Sequence, residues 1–406
     1  MPEYDVVIVG AGPAGLFCAA NLAPAKVLIL EKMKLPGRKL LLSGSGQCNL
    51  THAGDVKALS ANYGDHRAFV KPALMAFSNQ AAMDFFEKHG VPVQTNENGK
   101  VFPVSLLADD VLDALLAACD EAGVEISYRE SVQSISPKGG GYAVQTPVAT
   151  YQTKFVVIAT GGMSYPATGS TGDGYPLAEG LGHAVIPPEP SLTPVYVADH
   201  ILRDLSGISL SAKVTIWHDG KKLITRDGDL LITRFGYSGP VILDSSRWMR
   251  AGDVLKIAFT PLPPNEVDAL LKERTALSGG KLVYNLLSGL SCPERLLRAL
   301  VFAAGIPEET TGAQLTAKMR GALVANLTDF PVSIDRPGDF GVAMCTAGGV
   351  SLTEINKKTC ESKIAPGIFF AGEVMDLDGD TGGYNIQAAF STAFVAAKKI
   401  LQMLCA

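Results

Sequence analysis

The chain has 406 residues, 47% of them hydrophobic and 18% charged, with a formal net charge of −5 and seven cysteines. The composition excludes a disordered chain, the length leaves room for two or three domains with full cores, and the charge gives no global attraction to nucleic acid. The cysteines are scattered, odd in number and form no C-x-x-C pair, which excludes a disulfide framework and a cysteine zinc site, predicts no bound metal and points to a reducing cytoplasm.

Val6-Val7-Ile8-Val9 reads as a buried strand, and Gly10-Ala11-Gly12-Pro13-Ala14-Gly15 follows with G-x-G-x-x-G spacing into a helix from Leu16. Gly10 suits the tight turn, Gly12 lets backbone approach a pyrophosphate, and Gly15 lets helix and strand pack closely. Pro13 suits a first helical position, and the N–H groups of that turn face the phosphates. Three glycines and a proline, with no basic segment before them, exclude a signal or membrane reading of residues 6–23. Lys26 to Leu30 is a second strand with Glu31 at its end, where an acid meets a ribose hydroxyl. These residues predict a dinucleotide site and leave NAD and FAD open.

Lys32, Arg38 and Lys39 form a basic, turn-rich stretch suited to a diphosphate or an anionic substrate. The loop Ser43-Gly44-Ser45-Gly46-Gln47-Cys48-Asn49, continuing to Thr51-His52, offers backbone donors to a flat ring. The pattern from Asn62 to Gly90 is helical. Residues 91–95 and 100–104 read as short strands, and Leu106 to Ala122 as an amphipathic helix. Val124 to Tyr128 is a strand, and Val132 to Ile135 pairs with Tyr142 to Thr146 as a hairpin. Lys154 to Ala159 is a buried strand running into Thr160-Gly161-Gly162. A hairpin inserted at this point departs from the alternating units of a simple NAD domain and matches the layout of two-dinucleotide-fold flavoproteins.

Tyr165 to Gly174 is a small-residue loop opening a short helix over Tyr175 to Gly182. From Ser191 to about Thr260 the period changes to two, predicting an antiparallel unit closed as a small barrel. Asn265 to Asn326 is helical, and Val332 to Asp335 returns to the β-unit. Pro187 to Pro190 and Pro261 to Pro264 mark candidate boundaries. The expected division is a FAD-binding domain over residues 1–190 and 341–406, a β-barrel-like insert over 191–262 and 328–340, and a helical insert over 263–327. Ile368 to Ala371 is a last strand, ending in Gly372-Glu373. Asp376 to Gly383 then leads into a helix opening with Tyr384-Asn385-Ile386. An acid after such a strand suits a ribityl chain, and a second glycine-rich helix start suits the flavin pyrimidine edge, so these residues point to FAD.

These motifs, with Gly37-Arg38-Lys39, Gly99 to Pro103, Phe235 to Pro240, Ala347 to Val350, Glu361 to Lys363 and Phe370 to Gln387, resemble those of the BaiN/RdsA-type flavoproteins, also described as YhiN-like or aminoacetone-oxidase-like. The resemblance covers nearly the whole chain and implies a glutathione-reductase-type α/β fold, a Rossmann-like FAD domain carrying a barrel and a helical insert. Where the family reads Gly-Gly-Gly-Arg-Cys-Asn-x-Thr-Asn, this chain has Gly44-Ser45-Gly46-Gln47-Cys48-Asn49-Leu50-Thr51-His52, losing a positive charge at Gln47. The resemblance implies hydride transfer through FAD, with NAD(P)H as a visiting reductant, since no second G-x-G-x-x-G is present. Its members reduce conjugated double bonds in steroid-like acids, oxidise small amines or reduce a uridine of ribosomal RNA.

The expected substrate is a small molecule. The alternatives are a structured RNA and a FAD-binding regulator without turnover. The expected cofactor contacts are Gly10, Ala11, Gly12, Pro13, Ala14, Gly15, Glu31, Lys32, Arg38, Lys39, Ser43, Gly44, Cys48, Asn49, Val132, Thr160, Gly161, Gly162, Gly372, Glu373, Gly383, Tyr384, Asn385 and Ile386. The candidates for a proton-transferring side chain are Cys48, His52 and Tyr237.

Overall fold

In a computed structural model that describes residues 3–406, these residues divide into two units, one of residues 3–191 and 340–406 and one of residues 192–339. The first is built on a seven-stranded sheet. Four parallel strands lie in the order Glu125–Tyr128, Val27–Glu31, Glu3–Val9, Thr150–Ile158. The long strand Thr150–Ile158 carries two neighbours on its far side. Its first half pairs antiparallel with the hairpin strand Gly141–Gln145, and its last three residues pair in parallel with Ile368–Phe370.

The opening strand is apolar on every residue from Val6 to Val9 because both its faces are covered. Val6 and Ile8 enter one core with Leu16, Phe17 and Phe390, while Val7 and Val9 enter another with Ile158, Phe370 and Val374. The helix Pro13–Ala20 lies over the first face with the last helix, Tyr384–Leu404, and Phe17 meets Phe390 at a ring-centroid distance of 5.0 Å.

The helical pattern over Asn62–Gly90 is split. Arg67–Ala76 ends where Phe77 turns extended, and Asn79–Lys88 restarts behind Ser78, whose hydroxyl accepts the Ala81 N–H at 3.2 Å. The expected helix from Leu106 begins at Ala108, with Asp109 and Asp110 in its first turn.

Val185–Ser191 pairs antiparallel with Cys345–Val350, so the chain leaves the first unit and returns to it on adjacent strands. The second unit holds a seven-stranded antiparallel sheet whose outermost strands are Phe330–Ser333 and Arg336–Pro337. Only Ile334 and Asp335 separate those two strands. Ile334 exchanges hydrogen bonds with Gly252 and Asp253, and the Asp335 N–H donates to the Tyr196 carbonyl. One bent strand therefore serves both edges and closes the sheet into a barrel. The helices Pro264–Ser278, Glu294–Ala303 and Ala317–Thr328 share a single core with these strands, including Ile257, Leu271, Leu300 and Leu327. Residues 263–327 thus pack inside this unit, and the Pro261 to Pro264 knot begins a helix without parting two cores.

Candidate functional site

Glu31 ends one parallel strand, and Gly10, Thr160 and Gly372 come within two residues after the C-terminal ends of three others, where open α/β sheets bind ligands. Gly10 turns the chain at φ +103, and a Cβ there would lie 2.7 Å from the Ala159 carbonyl oxygen. A Cβ on Gly15 would collide with the Gly10 carbonyl, so the helix can sit this close to the turn only without one. Gly12 is different. A Cβ there meets nothing within 4 Å, so the space before the first helical turn is open.

Glu31 is buried, and its two carboxylate oxygens accept the Ala11 N–H at 2.8 Å and the Met33 N–H at 2.7 Å. An ionised carboxylate has about four lone-pair positions, so capacity for a further donor remains.

The other end of the site is assembled from distant residues. Lys39 Nζ donates to both oxygens of Glu373, at 2.9 and 2.6 Å, and to Ser164 Oγ at 2.5 Å. Glu373 also accepts the Thr346 N–H at 2.9 Å and the Ser164 hydroxyl at 3.0 Å. Burial alone would push this carboxyl up, but the Lys39 charge and these hydrogen bonds outweigh it and hold Glu373 below the ordinary carboxylate range. A Cβ on Gly372 would lie 3.0 Å from the Ala14 Cβ, so the last strand's turn touches the first helix.

The last helix begins without a side-chain cap, behind Gly383 at φ +94. A Cβ on Gly383 would sit 2.6 Å from the Thr51 carbonyl. With its amide turned so that nitrogen faces the Val101 and Thr51 carbonyls, Asn49 accepts the Gly383 N–H at 3.2 Å. Asn385 clasps the acidic loop, accepting the Gly379 N–H at 2.8 Å and donating to its carbonyl at 3.0 Å. His66 Nε2 lies 3.7 Å from Asp378 and 4.0 Å from Asp376. Burial raises the Asp376 carboxyl, and neighbouring Asp378 adds to that, against His66 and the Gly348 N–H.

Several expected contacts have local partners. Lys32 pairs with Asp173 and Thr171. Arg38 is half-buried. The Ser43 hydroxyl donates to the Leu40 carbonyl, and a Cβ on Gly44 would press on the Asn49 N–H. The Thr160 hydroxyl abuts Gly174, while a Cβ on Gly161 would meet Ser170 Oγ at 3.4 Å. Gly162 packs against Thr346 and Glu373. Val132 and Ile386 are half-buried against the two cores.

Of the proton-transfer candidates, Cys48 is fully buried, and burial pushes its thiol up to about 12, so it fills volume and stays a neutral thiol. His52 stacks on Tyr384 with centroids 5.1 Å apart, and its Nδ1 lies 2.7 Å from the Ala53 carbonyl. Tyr237 is in the second unit, buried against His200. Sequence reasoning missed Ser164, Thr346, His66 and Tyr63, whose hydroxyl donates to the Tyr384 carbonyl at 2.7 Å. It also missed Tyr175, whose buried hydroxyl has no partner among the described residues. Only Thr346, next to Ala347-Gly348-Gly349, carried a local signal.

The open space at Gly12, the backbone donors of two glycine-led helices, the buried Glu31 and the half-buried Glu373 fit a group with a diphosphate centre and a ring at each end. The described residues contain no cluster of three metal-ligating side chains, and no described helix is long and apolar enough to cross a membrane.

Comparison with known proteins agrees with this geometry. Residues 4–399 match the sequence profile of the HI0933-like protein Rossmann domain. A ribosomal RNA dihydrouridine synthase of Escherichia coli is 32% identical, with 99% of each chain covered. A 3-dehydro-bile acid delta(4,6)-reductase of Clostridium scindens is 28% identical, over 96% of this chain and 97% of that one. The solved structure of a 3-ketosteroid delta1-dehydrogenase from Sterolibacterium denitrificans superposes with a TM-score of 0.52 at 14% identity, covering 99% of this chain and 100% of that one, which is a likeness of fold. The chain belongs to the HI0933-like Rossmann family and is, as a member, a FAD-binding oxidoreductase.

Proposed function

We propose that this protein reduces a carbon–carbon double bond conjugated to a carbonyl group, and that its substrate is a uridine of ribosomal RNA. The observation that carries the reading is full-length similarity to two proteins whose names describe one chemistry, the addition of two hydrogens across such a bond. The more similar of the two is the one named for RNA, which supports uridine ahead of the small molecule expected above.

Bound FAD would supply a two-electron hydride carrier, with NAD(P)H as its reductant. The chain's own residues bind and orient. The first turn of the helix Pro13–Ala20, open in front of Gly12, donates N–H groups to the diphosphate. Glu31 accepts from a ribose hydroxyl. Glu373, held ionised by Lys39, would hold the hydroxyls of the ribityl chain, and the positive end of the helix Tyr384–Leu404 would favour negative charge brought to it. Reduction also needs a proton at the carbon next to the carbonyl. His66 Nε2 stands 3.7 Å from Asp378 and 4.0 Å from Asp376 of the acidic loop, and we assign it the task of giving that proton to the carbon and regaining one from solvent.

A small steroid-like enone is the second reading, favoured by the Clostridium scindens relative. Purified protein carrying FAD is reduced anaerobically with NADH or NADPH and then mixed with either substrate class. Ribosomal RNA nucleosides from a deletion strain are compared by mass spectrometry. Loss of dihydrouridine in the deletion strain, restored by the gene, is the expected result. Unchanged RNA together with rapid flavin reoxidation by a conjugated steroid ketone would replace the first reading with the second.

A further inference from the structure

The second unit contains a cleft of about 420 Å³, within the range of small-molecule sites. It arises from the way the barrel closes. Asp335 donates its N–H to the Tyr196 carbonyl, Val197 continues the pairing on the other side by donating to the Phe235 carbonyl, and among the described residues no backbone hydrogen bond joins 197–201 to 330–333. Residues 197–201 therefore leave the strand Phe330–Ser333, and the seam between them stays open. Residues 197–201 form one wall and 330–335 the other, with Tyr237 between them.

Two polar groups in this cleft lack a full set of partners. Tyr237 is only 1% exposed, and its hydroxyl bonds to no described residue. Burial raises it far above the ordinary tyrosine value, so it keeps its proton and can donate it in a hydrogen bond. His200 lies beside it with ring centroids 4.9 Å apart. Its Nε2 sits 3.0 Å from the Thr233 carbonyl, which can only accept, so Nε2 carries the hydrogen. Burial lowers the imidazole pKa, and the Arg203 charge adds to that against the Thr233 bond. The ring is neutral, and Nδ1 is a bare acceptor. The lining residues include two carboxylates, Asp199 and Asp335, and no lysine or arginine. Val197, Ile201 and Val332 supply apolar surface.

We propose that this open seam binds an uncharged flat ring that presents a carbonyl oxygen beside a ring N–H, the edge of a lactam or cyclic imide. The Tyr237 hydroxyl donates to the carbonyl, His200 Nδ1 accepts from the N–H, and the rim carboxylates disfavour anions. The inference stands on the second unit alone and does not depend on the reductase reading.

The test uses the full chain with labelled valine and isoleucine methyl groups, titrated with uridine, N3-methyluridine and uridine 5′-monophosphate. Uridine is expected to shift the Val197, Ile201 and Val332 signals. Blocking the ring N–H should weaken binding about tenfold, in line with a buried acceptor left unpaired, and the monophosphate should bind more weakly than uridine. Tyr237→Phe should weaken uridine about tenfold. Ser333→Trp, at an exposed lining position, should abolish the shifts with an unchanged melting temperature, which separates loss of the site from loss of the fold. Unmoved cleft methyls, or equal binding of uridine and N3-methyluridine, would overturn the proposal.

Discussion

Gly12 and Gly15 stand three residues apart in one motif and do different work. A methyl group on Gly15 collides with backbone inside the protein, whereas one on Gly12 meets only open space. Gly15→Ala is therefore expected to cost about 2–4 kcal/mol of stability through backbone displacement. Gly12→Ala should leave the melting temperature of the FAD-free protein unchanged and weaken FAD binding tenfold or more, read by titrating FAD against protein fluorescence. A parallel loss of stability in both variants would show that Gly12 serves packing. The Lys39–Glu373 pair sits on the same scale. With side chains 23% and 19% exposed, it is neither a surface pair nor a fully buried one. Lys39→Met should cost about 2–3 kcal/mol, below the cost of breaking a wholly buried pair. Because the Glu373 pKa is lowered on folding, the pair's stabilisation is complete above the ordinary glutamate value of 4.5 and is lost as pH falls through the lowered one. Glu373→Gln should flatten that acid limb in denaturant titrations run at several pH values.

At the scale of elements, the two glycine-led helices are fastened to each other and to the sheet. Phe17 touches Phe77, Phe85 and Phe390 with centroid distances of 4.8 to 5.0 Å, joining the first helix, the last helix and the segment between them. Phe390→Ala is expected to cost about 3–5 kcal/mol, measured by urea unfolding of the first-unit signal. The last helix is also fixed at its start. Thr51 donates to Gln387 at 2.6 Å, and Gln387 reaches the Phe77 carbonyl at 3.2 Å. Gly383→Ala places a Cβ at positive φ and against the Thr51 carbonyl, so it should shift the helix start and lower FAD affinity more than it lowers stability.

At the scale of the molecule, the second unit is one continuous insertion. Its core residues form a cluster separate from the two that flank the first unit's sheet. The flanking strands pair as Pro190 with Thr346 and Ser191 with Cys345, so the first unit's edge is held on both sides of the insertion. Replacing residues 192–339 with a flexible linker of about six residues should therefore yield a folded protein that still binds FAD, checked by its absorbance spectrum and a cooperative thermal transition. A chain that aggregates or lacks flavin would show that the first unit's core depends on the insertion.

The sequence alone determined what local backbone chemistry dictates. Four apolar residues running into a glycine turn read as a strand covered on both faces, Gly12 and Pro13 mark a helix start, and a period of two marks the barrel strands whatever surrounds them. The two ends of the proposed FAD site are legible for the same reason, since each is a short strand–turn–helix motif. Lys39 and Glu373 meet across 334 residues, and His66 reaches Asp378 from an unrelated helix turn. Nothing in either stretch names its partner, because such pairings depend on which strands neighbour one another and in what register. The closure of the barrel through Ile334 and Asp335, and the open seam beside it, were likewise decided by tertiary structure. A strand's pattern states which face is buried, while the hydrogen bonds left over at a sheet's edge find their partners only when the sheet has folded.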